Sequence, residues 1–162
     1  MGLRRRRRIL VVANETVAVG PLREAIRSRA RQYVDEVFIV CPALGSLVAH
    51  GLSDADYARA QAHRRLDTSL AALAALGIQA DGCVSDADPL QAIEHTLRTF
   101  RADELIISTY PRRRSTWLEH HIVYRARERF GLPIAHVIVD PRLERGLLVA
   151  PAATESRTPP SP

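Results

Sequence analysis

Positions 108–116 bring together seven groups that could grip an anion: Ser108, Thr109, Arg112, Arg113, Arg114, Ser115 and Thr116. Guanidinium forks, hydroxyls and the unpaired N–H groups of a helix start are what a phosphate or sulfate requires. The plainer alternative is a solvated basic loop in which Ser115 only caps the helix that follows. A second cluster, Asn14, Glu15 and Thr16, offers an amide, a carboxylate and a hydroxyl, or else forms a turn whose side chains satisfy local backbone groups.

Other candidates carry less chemistry. Glu119, His120 and His121 do not make a helical metal site, because adjacent histidines on a helix point about 100° apart and no cysteine lies nearby in sequence. No G-x-S-x-G, H-E-x-x-H or C-x-x-C motif occurs, and no nucleophile–base pair can be named, so neither a metal nor a catalytic residue is expected. All 23 basic residues are arginine. Without lysine there is no Walker-type P-loop, no pyridoxal Schiff base and no lysine nucleophile. Cys41 and Cys83 close two successive strand-like runs and are expected to be reduced, small apolar residues.

The periodicity of the chain supplies elements to hold these groups. Residues 9–13 (ILVVA) form a continuously apolar, β-branched run, as a strand buried on both faces requires. Gly20-Pro21 opens a helix striped by Leu22, Ala25, Ile26, Ala30 and Tyr33. Residues 37–41 (VFIVC) make a second strand. Ser53 with Asp56 resembles a capping box for a long helix carrying Leu66, Leu70, Leu73 and Leu76, closed by Gly77. A weaker third strand, 78–84, is interrupted by Gly82, and Asp88-Pro89 caps and opens a helix bearing Leu90, Ile93, Leu97 and Phe100. Residues 105–108 (LIIS) form the fourth strand. A helix with Leu118, Ile122, Ala126 and Phe130 ends at Gly131 and Pro133, before a fifth strand at 134–139 (IAHVIV).

This alternation predicts an α/β fold: a doubly wound, five-stranded parallel sheet in the order 3-2-1-4-5 with right-handed crossovers. Winding reverses between strands 1 and 4, and ligands bind at the carboxyl ends of those two strands. The rule selects the segment from Ala13 through Asn14 and Glu15 to Thr16, together with the segment from Ser108 to Ser115.

At 162 residues, with 46% hydrophobic and 25% charged residues, the chain fits one domain, expected over 9–140. The net charge of +5 equals the contribution of the arginines at 4–8, so the rest is neutral on balance. Residues 1–8 read as a solvated basic arm with no specific nucleic-acid partner, and 141–162 as a flexible tail in which 147–149 could dock locally. No apolar run approaches the roughly 18 residues a membrane span needs, and a cytoplasmic protein is expected.

Over residues 8–139 the chain resembles the universal stress protein family. ILVVANET is similar to that family's first strand and turn, RADELIIST to its fourth strand, and ARERFGLPIAHVIV to its last helix, proline and final strand, all in the right order. The resemblance implies a Rossmann-like domain of the adenine nucleotide alpha hydrolase-like kind that binds an adenine nucleotide. It also implies a homodimer formed through the last strand, roles in stress survival and signalling, and no settled catalytic activity. ATP-binding members carry G-x2-G-x9-G-[ST] after strand 4. At that spacing this chain has Ser108, Pro111 and His121, followed by Ile122. The family's acidic residue after strand 1 aligns with Asn14, and the backbone position that reads adenine at the end of strand 2 aligns with Pro42, which has no N–H to donate. Two readings follow. Arg112, Arg113 and Arg114 replace the glycine nest and hold an anionic ligand by side chains, or the chain is a ligand-free dimeric interaction protein.

Overall fold

The computed structural model describes residues 7–13, 20–43, 52–86, 88–110, 117–139 and 147–149. The elements run β1 (Arg7–Val12), α1 (Gly20–Tyr33), β2 (Val34–Pro42), α2 (Leu52–Ala75), β3 (Ala80–Ser85), α3 (Pro89–Thr99), β4 (Glu104–Thr109), α4 (Trp117–Phe130), β5 (Ile134–Ile138) and β6 (Leu147–Val149). The sheet order is β3-β2-β1-β4-β5-β6, with the first five strands parallel, as the strand–helix alternation predicts.

Side-chain alternation divides the core between the two faces of the sheet. Ile9 and Val11 of β1, with Ile39 and Ile106, pack against Leu22 and Ile26 of α1 and Leu66 and Leu73 of α2. Leu10 and Val12, with Leu105 and Ile107, pack against Leu90 and Ile93 of α3 and Ile122 and Ala126 of α4. Helix ends follow local chemistry. Asp88 Oδ1 accepts from the Leu90 N–H at 2.9 Å, with Pro89 in the first turn. After α2, Gly77 takes φ +72°, its N–H bonds to the Ala74 carbonyl, and the Ile78 N–H bonds to the Leu73 carbonyl. This is a Schellman closure. α2 starts at Leu52, so Ser53 stands inside the helix and not at its cap.

Gly82 in β3 has a reason beyond local conformation. A Cβ there would stand 2.6 Å from Leu66 Cδ1 and closer still to the Ile39 carbonyl, so its absence lets α2 lie against the sheet.

Two boundaries differ from the sequence expectation. β1 begins at Arg7, and Arg8 is anchored instead of belonging to a solvated arm. Its Nε donates to Glu36 at 3.0 Å, its backbone N–H donates to Asp103 Oδ2, and its guanidinium lies 4.3 Å from the Phe100 ring centroid. A charge run looks uniform in sequence, but the Glu36 carboxylate and the Phe100 ring select this one guanidinium, while Asp103 holds the backbone at the same residue. Past residue 140, Leu147–Val149 pairs antiparallel with β5, Val137 opposite Leu148, so this part of the expected tail is a strand. β6 therefore covers the β5 edge from His136 to Ile138, the edge on which the expected dimer contact rested. Among the described residues no helix is long and apolar enough to cross a membrane.

Gly82→Val should overpack the α2–β3 contact by about 1–3 kcal/mol and lower Tm by roughly 3–10 °C in a thermal melt. Arg8→Ala should destabilise by about 1 kcal/mol, through the lost ion pair and ring contact, whereas deleting residues 1–6 should leave Tm unchanged. Equal Tm for the wild type and Arg8→Ala would show that the anchor is energetically silent.

Candidate functional site

β1 and β4 lie side by side at the centre of the sheet, with Val12 opposite Ile107 near their carboxyl ends. From there the chain winds to β2 on one side and β5 on the other. The helices that follow, α1 and α4, lie on opposite faces of the sheet, the topological switch point at which doubly wound folds form their ligand crevice.

Ala13, the last described residue before that crevice, is buried, and its N–H donates to the Val40 carbonyl at 3.0 Å. Ser108 and Thr109 are both buried at the end of β4. Ser108 Oγ donates to the Val12 carbonyl at 3.3 Å, so its hydroxyl proton ties β4 to β1 and is not offered to an anion. Thr109 Oγ1 lies 2.7 Å from His136 Nε2. With a proton on that nitrogen, His136 donates and Thr109 keeps its own proton for another acceptor. Asn14, Thr16, Arg112, Arg113, Arg114 and Ser115 lie outside the described residues. His121 is exposed on α4, one residue before buried Ile122.

Among the described residues, the neighbouring end of β2 offers no free backbone donor. Pro42 has no N–H, and its carbonyl accepts from Arg65 Nη2 at 3.1 Å. The Ala43 N–H donates to the Ser85 carbonyl at 2.8 Å. The backbone donors described here are thus bonded within the sheet. Arg65 Nε is buried with no hydrogen-bond partner among the described residues, an arrangement that costs about 1–3 kcal/mol for an unsatisfied donor. Nothing in the sequence distinguished Arg65 from other arginines of α2. His136 was more legible, as a polar residue between Ala135 and Val137 in an apolar strand.

Cys41 and Cys83 are free and occupy adjacent strands, but Cys83 is registered with Val40. The two side chains therefore project from opposite faces, Cys41 toward α1 and α2 and Cys83 toward α3 and α4. Burial pushes the Cys41 thiol up to about 11, against a partial opposing pull from the Arg65 charge. Burial, then the Asp81 carboxylate, raises Cys83 as well. Among the described residues no three His, Cys, Asp or Glu side chains converge on a metal-sized site.

No family model and no curated protein matches this chain. Among solved structures it is similar to a universal stress protein family protein from Arabidopsis thaliana, crystallised with AMP bound. The two share 10% identity at a TM-score of 0.52, over 85% of this chain and 94% of that one. The fold is the same. A universal stress protein family protein from Burkholderia pseudomallei shares 14% identity at a TM-score of 0.49, over 80% of this chain and 93% of that one.

Cys83 should react with a thiol reagent before Cys41 at pH 8, because Cys41 is fully buried and held protonated. Since the folded Cys41 thiol titrates above its ordinary 9.0, the unfolded chain loses that proton first. This contribution to stability is complete below pH 9 and is lost as pH rises toward 11. The loss should reach about 2 kcal/mol by pH 11 and be absent in Cys41→Val, as measured by urea melts of the two proteins. Parallel alkaline profiles would contradict it.

Proposed function

We propose that this chain is a non-catalytic binding module of the universal stress protein kind, acting in the cytoplasm in stress response or signalling. Its ligand is anionic, of the adenine-nucleotide class, and sits between the carboxyl ends of β1 and β4. One observation carries the reading: the connection that leaves β4 at the reversal of winding contains three consecutive arginines, Arg112, Arg113 and Arg114. Topology and charge select the same crevice independently.

Recognition in this reading is by side chains. Ser108 and Pro111 stand where a glycine nest would bring backbone N–H groups to phosphates, and Pro111 has none to bring. Arginine forks supply the charge, with Asn14, Thr16, Thr109, Ser115 and His121 as polar neighbours. Each hydrogen bond to a charged group contributes roughly 1.5–3 kcal/mol, so two forks suffice to hold one phosphate. AMP in the Arabidopsis protein makes an adenine nucleotide the first ligand to try.

The closed end of β2 favours a second reading. With Pro42 unable to donate and the Ala43 N–H bonded to Ser85, a ligand-free homodimeric interaction protein has a specific observation behind it. In that reading the contact runs through the last strands, along the outer edge of β6.

Calorimetry with ATP, ADP, AMP and cyclic nucleotides separates the two. The first reading expects binding heat for at least one nucleotide. It also expects Arg112→Ala, Arg113→Ala and Arg114→Ala together to abolish ligand-induced thermal stabilisation while leaving the free protein's Tm nearly unchanged. No heat for any nucleotide, with a dimer seen by light scattering, selects the interaction protein.

A further inference from the structure

At the other end of the sheet, α1 and the turn after α2 leave between them an open groove of about 560 Å³. It lies on the α1–α2 face at the amino ends of β2 and β3, remote from the β1–β4 crevice. Ala30 of α1 with Leu76 and Ile78 of the turn form its apolar part, and Gln79 contributes an amide. Its charge comes from Arg27 and Arg31, one helical turn apart on α1.

Among the described residues these two arginines have little structural duty. Like charges at i,i+4 disfavour a helix by a few tenths of a kcal/mol, so the pair is not there to stabilise α1. Among the described residues Arg27 reaches only Glu24, at 3.9 Å with the Arg27 side chain half-buried and Glu24 exposed, and no described side chain pairs with Arg31. Arg29, between them in sequence, is the contrast. Its Nε donates to Glu104 at 2.6 Å with both groups mostly buried, and its Nη1 donates to the Ala25 carbonyl. Nor do Arg27 and Arg31 have to cap α2, because the Leu73 and Ala74 carbonyls already accept from Ile78 and Gly77. No carboxylate among the described residues lines the groove, and two guanidinium groups set its electrostatics. Its volume falls within the range of small-molecule sites, about 300–1,000 Å³.

We propose that this groove is a second binding site, independent of the β1–β4 crevice, for a small amphipathic anion: a phosphate or carboxylate carried on a flat apolar body. The anionic group bridges Arg27 and Arg31, the body covers Ala30, Leu76 and Ile78, and Gln79 reads a polar edge. Both anions suit a guanidinium fork, and the apolar floor separates either from the free inorganic ion.

Titration with 1-naphthyl phosphate, 1-naphthoate, inorganic phosphate and naphthalene-methanol, followed by calorimetry, tests the assignment. Expected is saturable 1:1 binding of at least one naphthyl anion, tighter than inorganic phosphate or the neutral alcohol. The preferred anion then distinguishes a phosphomonoester from a carboxylate. R27Q/R31Q should weaken it at least tenfold. Ala30→Trp, which fills the groove and keeps both charges, should weaken it as much, and both variants should melt within a few degrees of wild type. The triple alanine variant at 112–114 should bind the probe as wild type does, which separates this site from the crevice. Binding of neither naphthyl anion overturns the proposal. So does binding that survives both groove variants, or that disappears in the 112–114 variant.

Discussion

β1 is buried on both faces between β2 and β4, and the other elements are arranged around that burial. Ile9, Leu10 and Val11 are completely inaccessible to solvent and Val12 nearly so. A strand in that position has no polar face, so helices must cover it from both sides. Parallel neighbours cannot be joined by tight turns, which makes each connection a helical crossover of fixed hand. Two crossovers leave to one side and two to the other, and the crevice is the geometric residue of that division. Further out the requirement relaxes: β3, at the edge, is only half-buried and tolerates Gly82 where α2 presses close.

Electrostatics in a chain without lysine are written entirely in planar forks, and their positions separate into two kinds. Arg8, Arg29 and Arg65 are committed to partners in the fold, holding β1 to β2 and to the Phe100 ring after α3, α1 to β4, and α2 to the end of β2. A fork bonded in this way gains from fixed geometry as well as from charge. Arg27 and Arg31 lack comparable partners among the described residues and border a groove. α1 therefore runs from the β1–β4 crevice at one end to a basic groove at the other.

Among the described residues, hydrogen bonds at the carboxyl end of the sheet run between strands. Ala13 donates to Val40, Ala43 donates to Ser85, and Ser108 gives its proton to Val12. Each bond ties one strand end to its neighbour. Thr109 differs, because its bond to His136 depends on which imidazole nitrogen is protonated.

By itself, the sequence determined the fold class, the strand order and most of the core, since continuous apolar runs, helical stripes and the caps at Gly77, Asp88 and Gly131 are local signals with local causes. It also pointed to Ser108 and Thr109 as hydroxyls at the end of the fourth strand, but their burial and the bond from Ser108 to Val12 appear only in the fold. What it left open depended on contacts between distant segments. Arg8 is indistinguishable from Arg7 until Glu36, Asp103 and Phe100 meet around it. Leu147–Val149 is too short to declare itself a strand until β5 offers an unpaired edge. The direction of the Ser108 hydroxyl, the partner of Arg65 and the groove beside Arg27 and Arg31 were likewise decided only by tertiary structure. The physical reason is the same in each case: a hydrogen bond, an ion pair or a cavity belongs to two or more segments at once, and no single stretch of sequence contains it.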